Sequence, residues 1–383
     1  MGERAWDVVV AGAGIGGAVC AAMLAERGLR VLLAERSRFP RAKVCGGCLN
    51  SHAIEQLVQA GLDPTPMGLA TSDRLCVARR SRRAHASVAP GLVIERASFD
   101  AWLVERAIAR GVVFEESCSV RVLGTDDNGV ELSIGDARTT ASWLVDATGL
   151  TGLTEIYGDA SASTPANTGG WRIDSSSRFG VGAIAPASVV DVDRGEIAMH
   201  VGNAGYVGLA RLADGRINIA AALHPLRARA SGGPSGVCAD ILRSCGASAL
   251  WDELDGLGWK GTPLLSRSRP ATGGQRTLRI GDAGGYVEPF TGEGMGWAIQ
   301  DALAAATLLG ASSNVPEAAV RRSFESWSRT ARKRRTRRCR AVRAVARSPR
   351  LTDLSIVLLG VRPAARVMVA SSSRPPRLAG LPS

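Results

Sequence analysis

Aromatic side chains are scarce in this chain. Three tyrosines, six phenylalanines and eight tryptophans make up 4% of 383 residues. With so few rings to stack on bases and no recognised motif, nucleic acid is not an expected partner. Long apolar runs are lacking too. None approaches the ~20 residues that a membrane-spanning helix needs, and the best late candidate, residues 354–361, ends at Arg362-Pro363. No leader pattern precedes the first apolar segment, so a cytoplasmic location is expected. Cysteine pairs are also missing. Eight cysteines are scattered, and only Cys45-Gly-Gly-Cys48 has zinc-like spacing, with no second close pair. Reduced thiols and no metal site are therefore expected. No internal repeat is visible.

Acidic residues are nearly absent from one segment. Between Arg321 and Arg350 there are 13 Lys/Arg and a single acid, Glu325, which equals the +12 imbalance of the whole chain. The remainder is neutral, so the basicity is local. As a helix this segment is cationic, with a thin apolar stripe through Trp327, Val342 and Val345. It reads as a solvated face, or as a docking surface for an anionic membrane (a peripheral attachment) or an acidic carrier protein.

Glycine, by contrast, is plentiful, and its placement is informative. Residues 8–11 form an apolar strand pattern, followed by Gly12-Ala-Gly14-Ile15-Gly16-Gly17. A helical stretch runs over 18–27 and stops at Gly28. A second apolar strand, 30–34, ends at Glu35-Arg36. Strand, GxGxxG turn, helix, strand and acid in this order make a dinucleotide fingerprint. Gly12 permits the tight turn, Gly14 lets the backbone approach a pyrophosphate, and Gly17 lets helix and strand pack closely. Glu35 is placed to accept ribose hydroxyls, which favours FAD or NAD over NADP.

Further along, a basic loop from Arg36 through Lys43 tightens at Cys45-Gly46-Gly47-Cys48 and leads into a helix over 51–60. Short strands are expected at 74–78, 83–88 and 92–94, and a helix capped by Ser98 runs through Arg110. Strands at 111–115 and 119–123 precede a buried strand, 143–145, that ends at Asp146-Ala147-Thr148-Gly149. Alternating strands follow at 179–184, 189–193, 196–201, 206–212 and 216–223, with Asp214-Gly215 as a hairpin signal. Helices are expected at 235–245 and 247–254. A strand near 278–280 runs into Gly281-Asp282, and a long helix covers 297–309.

Four blocks thus stand in order: GAGIGG with Glu35; Arg96-Ala-Ser-Phe99-Asp100; Asp146-Ala-Thr-Gly149; and Gly281-Asp282 with Pro289 and Gly292-Glu293-Gly294. Together they resemble the FAD-dependent oxidoreductases of the para-hydroxybenzoate hydroxylase fold. The loop from Phe39 to Gly47 and the stretch from Pro289 to Met295 are most similar to the geranylgeranyl reductase branch. The resemblance implies an α/β fold: a Rossmann-like FAD-binding domain (residues 1–70, 95–160 and 275–310) interleaved with an antiparallel-sheet substrate domain (71–94 and 161–274), then a basic C-terminal helical region (311–383).

It also implies roles. Arg96 reaches the FAD phosphates or ribityl chain, backbone at Val120 contacts adenine, and Asp282 accepts ribityl hydroxyls. The amides of Gly292, Glu293, Gly294 and Met295 face the flavin, where a helix N-terminus stabilises developing negative charge. Cys45, Cys48 and Tyr206 are the catalytic candidates. For the two thiols the alternatives are a redox or proton role, with a pKa lowered by Arg41 and Lys43, or plain small residues that let the flavin fit.

The halogenase Trp-x-Trp-x-Ile-Pro stretch is not matched at Trp171-Arg172-Ile173. The prenyl reductases' Tyr-x-Trp-x-Phe-Pro keeps only Tyr206, with Gly208, Ala210 and Arg211 in the other positions. The expected activity is monooxygenation of a lipophilic or aromatic small molecule. The alternatives are saturation of isoprenoid double bonds and a non-catalytic flavin redox partner docked at a membrane. With no second GxGxxG, NAD(P)H is expected to bind only transiently.

Overall fold

The two apolar runs of the fingerprint pair side by side. In this computed structural model, which describes residues 5–153, 170–230, 232–247, 249–288, 290, 292–311 and 315–359, the strands in chain order are β1 (Trp6–Ala11), β2 (Val31–Ala34), β3 (Cys48–Leu49), β4 (Ala70–Arg79), β5 (Arg82–Val93), β6 (Val113–Glu115), β7 (Val120–Thr125), β8 (Val130–Ile134), β9 (Ala137–Asp146), β10 (Arg172–Ile173), β11 (Phe179–Ala185), β12 (Glu196–Val201), β13 (Gly205–Arg211), β14 (Ile217–Leu223), β15 (Lys260–Leu264), β16 (Arg267–Ser268), β17 (Gly273–Gly274), β18 (Thr277–Arg279) and β19 (Gly285–Tyr286). The helices are α1 (Ile15–Ala25), α2 (Ser51–Gln59), α3 (Arg96–Ile108), α4 (Pro225–Ala230), α5 (Pro234–Ser244), α6 (Trp251–Asp255), α7 (Gly294–Gly310), α8 (Glu317–Arg347) and α9 (Pro349–Leu359).

The first sheet has the order β17-β18-β9-β1-β2-β6, with the β7–β8 hairpin added beside β9. β1 is parallel to both β2 and β9, and β18 is parallel to β9. Such central parallel strands are covered on both faces, so they read as continuous apolar runs rather than alternating ones. Val8, Val9, Val10 and Leu33 are accordingly buried. Helices α1, α3 and α7 cover one face around Phe99, Leu103 and Ile299, and α8 adds Phe324 and Trp327 to the same core.

The second sheet runs β15-β11-β14-β13-β12-β4-β5-β3 and is antiparallel except for the β12–β4 pair. Its strands alternate. Val207 and Ile219 pack under α5 with Val237 and Ile241, while Tyr206, Gly208, Ala220 and Ala222 face a cavity on the other side. The hairpin at Asp214-Gly215 closes as expected, with Leu212 N–H donating to Arg216 O.

Several elements differ from the sequence reading. α3 begins at Arg96, two residues before Ser98, with Glu95 as N-cap. Ser98 Oγ instead donates to Glu95 O. The bidentate Arg96–Asp100 pair explains the shift, because it requires both residues within the helix at i and i+4. The two strands expected at 83–88 and 92–94 are one long strand, β5 (Arg82–Val93), because a bulge opposite Ser72 and Arg74 absorbs Pro90, which has no N–H to donate. Residues 189–193 form no strand. Their valines are buried in the core under α5, and Val190 makes one bridge to Ala249. That bridge keeps 249–250 extended, so α6 starts only at Trp251.

Candidate active site

The turn after β1 is built by steric exclusion. Gly12 has φ +101°, and a Cβ there would lie 2.6 Å from Ala147 O. A Cβ on Gly17 would stand 1.8 Å from Gly12 O. Gly16 faces Ala298 on α7 (3.3 Å to its carbonyl oxygen) and so sets how closely α1 and α7 pack. Gly14 is different. Its ideal Cβ meets nothing closer than 3.7 Å, and what it meets are three cationic tips: Arg41 Nη2, Arg96 Nη2 and Lys43 Nζ.

These cations converge over the N-terminus of α1. Arg96 donates from Nε to Asp100 Oδ1 (2.8 Å) and from Nη2 to Asp100 Oδ2 (2.7 Å). Arg41 donates to Asp100 Oδ2 (3.3 Å) and to Glu35 Oε2 (3.0 Å). Glu35 also accepts the Ala13 and Ser37 amides, both at 3.0 Å. Burial opposes its charge, but Arg41 and the two amides outweigh that and hold its carboxyl below the usual range. Lys43 reaches into the cavity. There it is open to a small molecule yet surrounded by protein. Burial, and then Arg96 beside it, lower its pKa. Two carboxylates, Glu35 and Asp100, thus hold Arg41 and Arg96 beside Lys43 at a helix N-terminus, an arrangement that suits a pyrophosphate.

Gly281-Asp282 follows β18, next to Asp146 at the end of β9. Gly281 has φ +57°, and its N–H donates to Asp301 Oδ2 (2.9 Å) on α7. Asp301 is fully buried and also accepts Arg335 Nη1 (2.8 Å) and Arg332 Nη2 (3.3 Å). Arg332 additionally donates to Gly285 O (3.0 Å). Burial pushes the Asp282 carboxyl up, against the pull of Lys43, Arg96 and Arg332. Here the sequence reading is corrected. Arg332, Arg335, Arg343 (to Asp174, 2.9 Å) and Arg347 (to Glu288, 3.3 Å) are spent inside the molecule, so the basic segment is no uniformly solvated face and bears directly on the site.

One cavity of about 780 Å³ joins these parts. Gly14, Ile15 and Gly16 line it at the open end of α1, and Gly292, Glu293, Gly294 and Met295 line it at the open end of α7. Pro289 lies outside the described residues. Beyond α7 the walls turn apolar: Leu75, Val77, Ile197 and Met199 from the second sheet oppose Val342, Val345 and Ala346 of α8. Tyr206 is buried in that part of the cavity, edge-on to Phe290 at 4.9 Å. Burial, and then the nearby Glu288 carboxylate, raise the pKa of its phenol well above the usual value, so it stays protonated. Glu288, 2% exposed, also accepts Arg178 Nη1 at 3.3 Å.

Other expected site residues fall as follows. Lys43, Cys45, Gly46, Gly47, Arg96, Ala147, Gly149 and Asp282 all line the cavity. Thr148 hydrogen-bonds Asp146 through its hydroxyl (2.6 Å) and so fixes that turn. Arg36 is exposed, and Val120, at the start of β7, packs against the core behind β9; neither borders the cavity. Cys48 is not a thiol of lowered pKa. Cys48 donates to Gly46 O (3.3 Å), and burial, then Cys45, push its thiol up to about 12. The tips of Arg41 and Lys43 lie instead beside Gly14 at the start of α1. Sequence reasoning missed Asp301, Glu288 and Arg178. Only an acid inside the apolar helix 297–309 hinted at the first; the other two carry no local signal.

FAD fits this donor set. An anion cradle lies at α1, a second open helix end lies at α7, and Asp282 stands between them on the cavity wall. A family profile described as "FAD binding domain" matches residues 5–155. Protein FixC of Escherichia coli (strain K12) is 32% identical over 122 residues, 29% of this chain and 28% of that protein. Digeranylgeranylglycerophospholipid reductase 2 of Methanopyrus kandleri is 36% identical over 112 residues, with the same coverage of each chain. The alignment therefore spans little more than a quarter of these relatives. The flavin-dependent brominase Bmp2 superposes with a TM-score of 0.70 over 93% of both chains at 17% identity, which is a likeness of fold. Residues 5–155 thus match an FAD-binding domain, and the chain as a whole shares its fold with the flavin-dependent enzyme Bmp2.

Proposed function

We propose that this protein is an FAD-dependent monooxygenase that hydroxylates a lipophilic or aromatic small molecule, with NAD(P)H as a transient electron donor. The observation that carries the proposal is the continuity of the cavity. It runs from the phosphate cradle, past the N-terminus of α7, into a pocket walled by Leu75, Val77, Met199, Val342 and Val345. Bound flavin supplies two-electron redox chemistry and the activation of oxygen. The chain's own residues supply the rest. Arg41, Lys43 and Arg96 bind the phosphates. The α7 amides offer donors to negative charge on the reduced ring. Gly208, Ala210, Ala220 and Ala222 leave room on the sheet. Tyr206, kept protonated by burial and the nearby Glu288 carboxylate, is a hydrogen-bond donor toward a substrate oxygen. The α8 wall keeps water out. Bromination is not carried over from the structural neighbour, because Trp171 stacks on Arg269 (4.2 Å) and does not border the cavity.

A second reading, saturation of an isoprenoid double bond, is favoured by the apolar far end of the cavity and by the likeness to the Methanopyrus reductase. Oxygen separates the two. The purified flavoprotein is given NADH or NADPH with phenols and with geranylgeranyl lipids, in air and then anaerobically. Hydroxylated product that requires oxygen supports the proposal. Reduced product formed without oxygen overturns it in favour of the second reading.

We further propose that the outward cations of α8, among them Lys333, Arg334, Arg337 and Arg340, attach the protein to an anionic membrane surface or an acidic carrier. Exposed Leu351, Leu354 and Val357 on α9 favour the membrane. Among the described residues no helix is long and apolar enough to span a bilayer. Binding to anionic liposomes should be lost when Arg334, Arg337 and Arg340 are changed to glutamine; unchanged binding would remove this surface from consideration.

A further inference from the structure

The outer face of the second sheet, turned away from the cavity, carries a cluster that none of the above uses. On β4 and β5, Cys76 stands directly opposite His85. On β12, Glu196 lies two residues before Ala198, the cross-strand partner of Cys76. The pleat therefore puts Cys76, His85 and Glu196 on one face, while Leu75, Val77 and Ile197 point into the cavity on the other. One ligand atom from each of the three, a sulfur, a ring nitrogen and a carboxylate oxygen, all lie within 4.8 Å of one another.

The geometry is close to that of a metal site. His85 Nδ1 is 3.0 Å from Glu196 Oε2. A tetrahedral zinc with N and O bonds of about 2.0–2.1 Å holds two such ligands roughly 3.3 Å apart, so the pair would open by only a few tenths of an ångström. Thiolate, imidazole and carboxylate together form a donor set that suits zinc better than calcium or magnesium. Cys76 and Glu196 are buried, while His85 is half exposed and leaves a side open to water. The two arginines on this face are engaged elsewhere: Arg74 donates to Arg194 O, and Arg83 to the carbonyls of Cys245 and Gly246. The buried Glu196 carboxylate is thus left facing a thiol and an imidazole.

We propose that Cys76, His85 and Glu196 form a zinc site with water as the fourth ligand. On binding, the Cys76 proton is released to solvent and the S–Zn bond forms. Thiolate and carboxylate then balance the 2+ charge, with no change of oxidation state. The ion clips β5, β4 and β12 together, and the inner faces of these strands are the wall of the substrate cavity.

The test is calorimetric titration of zinc into the full-length flavoprotein after chelator treatment. One equivalent is expected, with a rise in melting temperature. His85→Ala, at an exposed position that folding tolerates, should weaken binding by at least about tenfold, and Cys76→Ser should abolish it. Cys118→Ser, in the loop between β6 and β7, should bind like the parent. Absence of uptake by the parent chain overturns the proposal, as does uptake that is unchanged in His85→Ala.

Discussion

Replacing Gly14 with alanine should separate folding from cofactor binding. Gly14 is the N-cap of α1 with φ −73° and ψ 180°, a conformation that alanine adopts freely. The new methyl group would meet only three mobile cationic tips, each 3.7 Å away. Loss of glycine's unfolded-state entropy stabilises and a poorer N-cap destabilises, so the net change in stability is about 0.5 kcal/mol or less. The methyl does, however, enter the space between the backbone and those cations, where the pyrophosphate is expected. Overpacking of that kind costs about 1–3 kcal/mol, or roughly 5- to 150-fold in Kd. Gly17→Ala is the contrast. Its methyl would overlap the Gly12 carbonyl at 1.8 Å, backbone against backbone, and the turn itself must break. Melting of the FAD-free proteins, with titration of FAD by fluorescence quenching, reads both effects. If Gly14→Ala binds FAD within twofold of the parent at an unchanged melting temperature, the phosphates do not lie against Gly14 and the cradle argument fails.

Three further outcomes follow from the same geometry. Asp301→Ala leaves Arg332 and Arg335 without their shared buried carboxylate; it should lower stability by about 3–5 kcal/mol, a melting shift of about 4–6 °C for a chain of this size, and a loss below about 1 kcal/mol would contradict the hub role. FAD affinity should decline with rising pH: the ammonium form of Lys43 attracts phosphate, and burial with Arg96 places its pKa below 10.5, so the decline sets in below that pH. Lys43→Met should flatten the profile, and identical profiles would refute the assignment. Tyr206→Phe removes the phenol but leaves Glu288 paired with Arg178 and Arg347; FAD binding should be unchanged while turnover falls about 100-fold, and full turnover would retire Tyr206 as a donor.

The sequence by itself determined the parts that depend on neighbours along the chain. The GxGxxG turn, the parallel strand pair and the hairpin at Asp214-Gly215 were legible because a few adjacent backbone torsions and one side-chain period decide them. The alternation on β13 and β14 likewise told which residues share a face. Ser98 was misread as a cap because a tertiary pair, Arg96 with Asp100 and Arg41, moved the start of α3. The valines at 189–193 look like a strand, but packing under α5 satisfied them without a ladder.

Only the tertiary structure decided the roles of charges. Thirteen cations between Arg321 and Arg350 are alike on paper. The fold turns Arg332, Arg335, Arg343 and Arg347 inward to Asp301, Asp174 and Glu288 and leaves others to solvent. The sequence left a redox role and a plain packing role open for Cys45 and Cys48, and burial made Cys48 a neutral thiol. Cys76, His85 and Glu196 are up to 120 positions apart, and strand register alone brings them within 4.8 Å. Backbone preferences are local and can be read in order along a chain. Electrostatic and ligand-binding roles depend on distance in space and on dielectric, which the packing of remote segments sets.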